Sequence, residues 1–307
     1  MTTAFGHRYK HVPVLLHEVV AFLRPQASGI YVDATLGEGG HAEAILQASA
    51  PGGRLIGLDR DGEVLAWARR RLAAYGDRVQ IIQRHASELP QVLAEVELKQ
   101  VDGVLLDLGI SSYQLEAAER GFSFAHAGPL DMRLDRTEER TAAALVNTLT
   151  ESELVDLIQR YGEERWARRI ARAIVRARRR APLLTTTELA ALVTQVIPPA
   201  ARPSRIHPAT RTFQALRIAV NQELTTLEAT LRGAAMCLGE GGRLCAIAYH
   251  SLEDRIAKQT FRALEAASVG AGSSLRLVTR KPVTVSPVER QANPRSRSAK
   301  LRVLERV

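Results

Sequence analysis

The stretch VDATLGEGGHAEAIL, residues 32–46, decides the fold that we expect for this chain. It begins as an apolar strand that ends in Asp33, continues through a loop with Gly37 and Gly39, and enters a helical pattern. In open α/β sheets, ligands bind where such loops leave the carboxyl ends of the strands. Glycine in such a loop lets the backbone approach a ligand closely. The same glycines, followed by Ala42, satisfy the permissive dinucleotide fingerprint, so the pattern does not by itself select the ligand.

The first third of the chain alternates short apolar runs with helical patterns. The runs are rich in Val, Ile and Leu and nearly continuous, which is typical of parallel strands buried on both faces. This alternation predicts right-handed crossovers and an α/β fold with a doubly wound, mostly parallel sheet. The predicted strands span residues 29–36, 53–60, 78–85 and 101–109.

Helical patterns replace the strands after Leu108. Capping boxes begin helices at Thr150 and at Thr185, because each threonine is followed three residues later by a glutamate. A proline-rich tract, IPPAARPSRIHP, then interrupts the helices, and one long amphipathic helix is predicted over residues 212–238. Three further strands are predicted at residues 241–250, 275–280 and 299–307.

The simplest domain organisation is an α/β domain that is discontinuous in sequence. We expect it to comprise residues 1–113 and 214–307. Residues 114–213 then form an inserted helical domain.

The composition is that of an ordinary globular protein. Of the 307 residues, 46% are hydrophobic and 24% are charged. The amino-terminal stretch lacks the apolar core of a signal peptide, and no apolar run approaches the roughly 20 residues of a membrane span. Cys237 and Cys245 lie in apolar contexts without metal-ligand spacing. We therefore expect buried free thiols, no metal site and a cytoplasmic location.

The chain is strongly basic, with a formal net charge of +9 and a pI near 10.0. Such a balance favours polyanionic partners. Residues 165–180 contain eight arginines and no acid, and on a helical wheel six of them share one side, opposite Trp166, Ile170 and Ile174. The six arginines form a cationic stripe that suits nucleic-acid phosphates. A nucleic-acid-binding role for this stripe is slightly favoured over an ordinary solvated helix face. The predicted nucleic-acid-binding stripe, called the arginine stripe below, consists of Arg165, Arg168, Arg169, Arg172, Arg176 and Arg179.

Three acids end predicted strands at the ligand-binding level: Asp33, Asp59 and Asp107. Together with Glu38 they place negative charge around the glycine loop. A pyrophosphate tolerates few carboxylates nearby, whereas a sulfonium cofactor with an ammonium group is favoured by them. We therefore favour S-adenosylmethionine over a nicotinamide cofactor, with Asp59 positioned for ribose hydroxyls in either case. The alternative is that these glycines serve only a tight turn between strand and helix and bind no ligand.

Two further segments carry polar residues after strands. In LLDLGISS, Asp107 can face cofactor and substrate or cap the next segment, and Gln114 can bind an adenine edge or its own loop. In AIAYHSLEDRIAK, His250 can be an acid, a base, an RNA contact or a packed histidine. Ser251 with Asp254 can instead cap the following helix. The chain has no Ser-His-Asp order, HExxH or CxxC pattern, so hydrolase and zinc-site interpretations have little support.

Several segments together resemble the bacterial 16S ribosomal RNA cytosine-N4 methyltransferases. The most specific are RGFSF with GPLDMR and the segment HPATRTFQALR, which belong to no general methyltransferase pattern. The others include HVPVLLHEVV, YVDATLGEGGHAEAIL, DGVLLDLGISS, YGEERWARRIARAIV, HSLEDRIAK and NPRSRSAKLRVLER, in the order expected for the family.

The resemblance implies a class I S-adenosylmethionine-dependent methyltransferase fold, with the helical insertion recognising RNA. It implies methylation of a cytidine in the decoding centre of the small ribosomal subunit, at the P site. It also implies cofactor contacts from Gly39, Gly40, His41, Asp59, Ala86, Asp107 and Gln114, to which the residues themselves add Asp33 and Gly37. The chain departs from the family at three of its positions. Ala86 replaces a frequent aromatic residue, Tyr113 a frequent proline, and Tyr249 a frequent phenylalanine.

The reaction expected from the resemblance is an in-line displacement of the sulfonium methyl group by the exocyclic nitrogen of cytosine. We assign the electrostatic role in catalysis to Asp107, with Ser111 and Ser112 in support, and an RNA contact to His250. The predicted partner is 16S ribosomal RNA or the small subunit, met by a monomer or a homodimer. The alternatives are a non-catalytic ribosome-assembly factor that retains this fold and a nicotinamide-dependent oxidoreductase.

Overall fold

The computed structural model describes residues 13–202, 206–268 and 274–307. Residues 1–12 of the amino-terminal stretch used for the signal-peptide prediction, and residues 203–205 of the proline-rich tract, therefore lie outside the described residues. The chain divides into two compact units. The sheet unit contains the residues up to Ser111 and those from Leu224 onwards, and the helical unit is Ser112–Glu223.

The secondary-structure elements alternate in the sheet unit and are all helical in the described part of the helical unit. The strands are β1 (Ile30–Asp33), β2 (Arg54–Asp59), β3 (Val79–Gln83), β4 (Val101–Asp107), β5 (Leu238–Ala248), β6 (Leu275–Leu277), β7 (Val283–Thr284) and β8 (Lys300–Arg306). The helices are α1 (Leu16–Leu23), α2 (Gly40–Ala48), α3 (Gly62–Leu72), α4 (Leu89–Glu95), α5 (Ser112–Glu116), α6 (Ala142–Thr148), α7 (Glu151–Gly162), α8 (Ala167–Arg178), α9 (Thr186–Val196), α10 (Thr210–Asn221), α11 (Leu227–Met236), α12 (Ser251–Ala267) and α13 (Pro287–Ala292).

The sheet has the strand order β3-β2-β1-β4-β5-β8-β6, with β7 beside β8. The first five strands are parallel, whereas β8 runs antiparallel to both β5 and β6. On one side of β1 the sheet continues through β2 to β3. The chain then crosses back, and β4 pairs with the other side of β1. This reversal creates a crevice at the carboxyl ends of β1 and β4, which is where ligands bind in doubly wound sheets. The predicted doubly wound, mostly parallel sheet is confirmed.

Both faces of the sheet are covered by apolar side chains. Val32 and Val104 contribute to a buried cluster on one face, with side chains from α4, α11 and α12. Tyr31 and Leu105, the neighbouring residues in each strand, contribute to the cluster on the other face, with side chains from α1, α2 and α3. Two covered faces explain why these strands are apolar at successive positions. The two cysteines are free and buried, as expected.

The end of the helical unit differs from the sequence-based expectation. The predicted helix over residues 212–238 is wrong, because α10 and α11 are separate helices with Gln222 in the left-handed region at φ 52°. The Asn221 side chain donates to the Met132 carbonyl and accepts from the Leu134 amide, which fixes the end of α10. The unit boundary therefore falls after Glu223, ten residues beyond the expected position 213.

Local capping signals within the helical unit are reliable. Thr150 and Thr185 each cap a helix and complete a capping box with Glu153 and Glu188, as predicted. Among the helices of the described ranges, none combines the length and apolar character needed to cross a membrane.

Candidate active site

Three buried or half-buried carboxyl groups lie at the carboxyl ends of neighbouring strands. Asp33 ends β1, Asp59 ends β2 and Asp107 ends β4. Burial, followed by the charges of Asp107 and Asp59, raises the pKa of Asp33 to about 8. Burial also raises the pKa of Asp107 to about 7 and that of Asp59 above its ordinary value. This edge of the sheet therefore concentrates negative charge in surroundings that disfavour it.

The Asp59 carboxylate holds the glycine loop against the sheet. Its Oδ2 accepts a hydrogen bond from the Gly37 amide at 2.9 Å, and its Oδ1 accepts one from the Asp61 amide at 2.9 Å. Gly37 and Gly39 have φ angles of 53° and 81°, which residues with a side chain rarely adopt. Gly39 immediately precedes α2, so the loop conformation and the start of this helix are set together.

Asp107 is held from two sides within the sheet unit. The Tyr249 hydroxyl donates to its Oδ1 at 2.8 Å, and the Asp107 amide donates to the Thr35 hydroxyl at 2.6 Å. The Tyr249 ring lies against Gly109, where an added Cβ would be 3.3 Å from the ring. The Tyr249 amide in turn donates to Glu253 at 2.8 Å. The carboxyl group is thus fixed in position by the loop that follows β5.

The His41 ring also faces Asp107, and its tautomer follows from its other contact. Nε2 lies 3.0 Å from the Val14 carbonyl, which can only accept a hydrogen bond, so Nε2 carries the proton. Burial lowers the pKa of His41 to about 4, which keeps the ring neutral. Nδ1 then presents a lone pair 3.6 Å from Asp107 Oδ2. His41 therefore adds no positive charge to offset the acids, and its contact with the cofactor stays a prediction.

These residues fit S-adenosylmethionine better than a pyrophosphate. The Gly37 amide is already bonded to the Asp59 carboxylate, and a pyrophosphate would add negative charge beside three carboxyl groups whose pKa values are already raised. A ligand with sulfonium and ammonium charges would instead stabilise the ionised carboxylates.

The model of the MraW methylase family matches residues 8–307. The chain belongs to this family. A curated relative from Geobacter sp. strain M21, named ribosomal RNA small subunit methyltransferase H, is 53% identical over 97% of this chain and 99% of its own length. Proteins of the same name from Geotalea daltonii and Symbiobacterium thermophilum are 51% and 50% identical. They cover 97% and 96% of this chain, and 99% and 96% of their own lengths.

Membership of the MraW methylase family confirms the resemblance found in the sequence. The chain is an S-adenosylmethionine-dependent methyltransferase with a class I fold, and the nicotinamide-dependent oxidoreductase is not favoured. The family match spans both units, so the helical insertion is part of the family architecture.

The remaining predicted cofactor and catalytic residues lie in both units. Ala86 begins a short 3₁₀ helix after β3 and is half-buried. Ser111 follows β4, with its Cβ 3.9 Å from the place where Gly37 would carry one. Ser112 and Gln114 are buried on α5, at the start of the helical unit. The roles of these residues stay predictions.

The segment around His250 has a different cap from the alternative considered in the sequence. His250 itself caps α12, and the box is completed by Glu253, one residue before the proposed pair of Ser251 and Asp254. Asp254 instead pairs with Lys300 and Arg302. The His250 side chain is only 10% exposed, and its Nε2 lies 3.1 Å from Glu253. His250 therefore has a structural role as a helix cap, and its RNA contact stays a prediction.

All six residues of the arginine stripe are exposed on or beside α8. Ile170 and Ile174 are buried on the opposite side of the helix, as the helical wheel predicts. Arg165 and Arg169 lie over the Trp166 ring at 5.3 Å, and Arg172 lies 3.5 Å from Glu151. The stripe thus presents positive charge from a helix that is anchored by its apolar side.

Sequence reasoning missed the hydrogen bond from Tyr249 to Asp107 and the contributions of Thr35 and Glu253. Tyr249 was noted only as a departure from a common phenylalanine. The hydroxyl group is the one chemical difference between these two residues, and this was the available signal. Its partner could not be found from the sequence because 142 positions separate the two residues.

Asp33→Asn is expected to stabilise the ligand-free protein at high pH. The pKa of Asp33 is about 8 in the folded protein against 3.8 ordinarily, so the parent loses stability as the pH rises from about 4 to above 8. At pH 9 the variant should exceed the parent in free energy of unfolding by at least about 1.4 kcal/mol, and near pH 4 the difference should vanish. Denaturant unfolding at both pH values measures this. A constant difference across the range would contradict the assignment.

Tyr249→Phe is expected to move the pH dependence of S-adenosylmethionine affinity upwards. Affinity in the parent should fall as the pH drops through about 7 and Asp107 becomes protonated. The Tyr249 hydroxyl lowers the pKa of Asp107, so its loss should raise the midpoint by about one pH unit. Calorimetric titrations between pH 5 and pH 9 measure the midpoint, with Tyr75→Phe as the control. An unshifted midpoint would show that the hydrogen bond does not control this carboxyl group.

Proposed function

We propose that this protein transfers a methyl group from S-adenosylmethionine to the exocyclic N4 of a cytidine in 16S ribosomal RNA, within the decoding centre at the P site. The observation that carries the chemistry is the Asp107 carboxyl group, fixed at the switch in strand order by the Tyr249 hydroxyl. The choice of RNA is supported by the curated relatives, which are named for the small ribosomal subunit. We place this reaction in the cytoplasm, where ribosomal subunits are assembled.

The cofactor would be held at the carboxyl ends of β1, β2 and β4. Asp33, Asp59 and Asp107 would supply negative charge, and the glycine loop, in which Gly37 and Gly39 have positive φ angles, would contact the cofactor through its backbone together with Gly40. His41, Ala86 and Gln114 complete the proposed set. When bound, S-adenosylmethionine supplies an electrophilic methyl group on a positively charged sulfur.

Asp107 would activate the cytosine amino group by accepting a hydrogen bond. The lone pair of this nitrogen is delocalised into the ring, so the amino group is a poor nucleophile. An ionised carboxylate beside an amino hydrogen localises the lone pair and stabilises positive charge that develops on nitrogen. A pKa of about 7 also suits Asp107 to receive the proton that the methylated nitrogen releases. Ser111 and Ser112, which follow β4, would support Asp107 as hydrogen-bond donors or acceptors.

The cysteines do not suit a covalent route. Attack through a ring carbon of cytosine would require a thiolate nucleophile. Cys237 and Cys245 are both buried, and burial raises the pKa of each thiol. Direct transfer to the exocyclic nitrogen needs no such nucleophile.

The exposed arginine stripe on α8 would bind phosphates of the RNA, because each arginine offers a fixed set of donors for anionic oxygens. The target cytidine must be unpaired or flipped out of its stack before its N4 can meet the donor.

Asp107→Asn is expected to reduce methyl transfer by roughly 100-fold or more, because the amide neither carries the charge nor accepts the proton. The substrate should be small subunits from cells that lack the gene for this protein, supplied with a labelled methyl donor. Digestion and nucleoside analysis then identify the product, which should be N4-methylcytidine.

Naked 16S RNA and DNA serve as parallel substrates, and Asp102→Asn, on the same strand β4, serves as the matched control. Label on a ring carbon, or on DNA alone, would contradict the proposed reaction. Turnover and cofactor affinity that survive in Asp107→Asn would refute the proposed centre. A parent protein that binds subunits without transferring label would favour the assembly-factor alternative.

A further inference from the structure

Two of the most specific sequence motifs have no role in the methyl-transfer site described above. RGFSF contributes Phe124, and HPATRTFQALR contributes His207 and Phe213. In the helical unit the Phe124 and His207 rings lie 4.5 Å apart between centroids, with an interplanar angle of 34°. The Phe124 and Phe213 rings lie 4.8 Å apart, edge to face. The two motifs therefore meet in one aromatic cluster, although more than 80 residues of chain separate Phe124 from His207.

The other residues of the first motif fix the loop that carries Phe124. Arg120 is buried and donates to the carbonyls of Arg133 and Leu134 at 3.0 and 3.1 Å. Gly121 has φ 72° and leaves no room for a Cβ against the Pro129 carbonyl. Beyond Phe124, the Gly128 amide donates to the Thr186 hydroxyl at 3.2 Å. The loop is thus held on both sides of Phe124, so the ring position is prepared in advance.

The cluster is graded from buried to exposed. Phe213 is only 4% exposed, Phe124 is half-buried, and His207 is exposed. Phe213 therefore acts as the support, Phe124 lies against the His207 ring at a tilt of 34°, and the exposed His207 ring offers the outer aromatic surface of the pair. Such aromatic surfaces stack on nucleobases, because every base has a π-face.

The exposed ring also carries a directed donor. His207 Nδ1 accepts a hydrogen bond from the Ala209 amide at 3.2 Å, in the turn before α10. The proton of the neutral ring then lies on Nε2. His207 can therefore stack by its face and donate from its edge, to a base oxygen or a phosphate.

Two exposed arginines are fixed to the chain segments beside the ring pair. Arg211, four residues after His207, donates to the Glu163 carbonyl at 3.0 Å. Arg165, two residues after Glu163, donates to the Ala201 carbonyl at 3.4 Å. Both side chains are exposed. An aromatic surface accompanied by guanidinium groups matches the alternation of bases and phosphates along a single strand of RNA.

We propose that the Phe124–His207 ring pair is a stacking platform for an unpaired base of the RNA substrate, with Arg165 and Arg211 binding phosphates of the same strand. This inference rests on the proposed function, since it requires RNA as the substrate. It assigns base stacking to the ring pair and leaves nonspecific phosphate binding to the other five arginines of the stripe. The charge of the two arginines favours RNA over an apolar segment of a protein partner.

The test measures binding of the full-length protein to unmethylated small subunits and to naked 16S RNA at a series of salt concentrations. His207→Ala and Phe124→Leu should weaken binding to both by roughly 5- to 100-fold, with little change in the salt dependence. Arg211→Ala should weaken binding and lower the salt slope by about one. S-adenosylmethionine affinity should stay at the parental value for all three variants, and each variant should still unfold in a single cooperative transition.

His207→Phe separates stacking from capping. This variant loses the bond from the Ala209 amide, as His207→Ala does, but it keeps an aromatic ring. It should retain most of the affinity that His207→Ala loses, while Tyr75→Leu, an aromatic truncation in the sheet unit, should bind RNA as the parent does.

Four outcomes would overturn the inference. Parental RNA binding by both His207→Ala and Phe124→Leu, with methyl transfer intact, would remove the platform and leave the proposed function standing. Equal weakness of His207→Phe and His207→Ala would assign the effect to the cap of α10, and weakening confined to protein-containing subunits would assign it to a ribosomal protein. Failure of the parent itself to methylate any ribosomal RNA would instead refute the proposed function, and the platform with it.

Discussion

The constraint on which the site depends is the burial of several carboxyl groups at one edge of a parallel sheet. Asp33, Asp59 and Asp107 lie there because each ends a strand, and parallel strands bring their carboxyl ends to the same side. Each has a raised pKa, so the ligand-free protein holds this edge at a cost in stability. A cationic cofactor offsets that cost. The arrangement that makes the free protein less stable is therefore the arrangement that selects the methyl donor.

Neighbouring polar groups give these similar acids different roles. Both oxygens of Asp59 accept backbone amides, so this carboxylate orders the glycine loop. Asp107 accepts from the Tyr249 hydroxyl and faces a neutral His41 ring, and its pKa lies close to neutral pH. A carboxyl group with a pKa near neutral pH can accept a hydrogen bond from the substrate and then the proton that the reaction releases. Hydrogen-bond partners thus decide which acid is structural and which is proposed to be chemical.

The helical unit depends on both short-range and long-range features of the sequence. Its local signals are strong, since the capping boxes at Thr150 and Thr185 and the amphipathic pattern of α8 all follow from short-range rules. Its surface depends on long-range contacts. The loop that carries Phe124 is fixed by Arg120, and the end of α10 is fixed by Asn221, whose partners lie 87 and 89 residues away in the chain. The aromatic platform is a product of these contacts.

The sequence by itself determined the doubly wound sheet, the glycine loop, the three strand-end acids and the family, because periodicity, turn residues and motif spacing are local properties of the chain. It could not determine where α10 ends, which residues cap α12, or that Tyr249 bonds Asp107. Helix ends and side-chain partners depend on residues distant in sequence, and a helical pattern continues through Gln222 without a local stop signal. Only the tertiary structure brought the loop after β5 to the carboxyl end of β4, and Phe124 to His207. The physical reason is that hydrogen bonds and ring contacts form between groups that are close in space, whatever their separation along the chain.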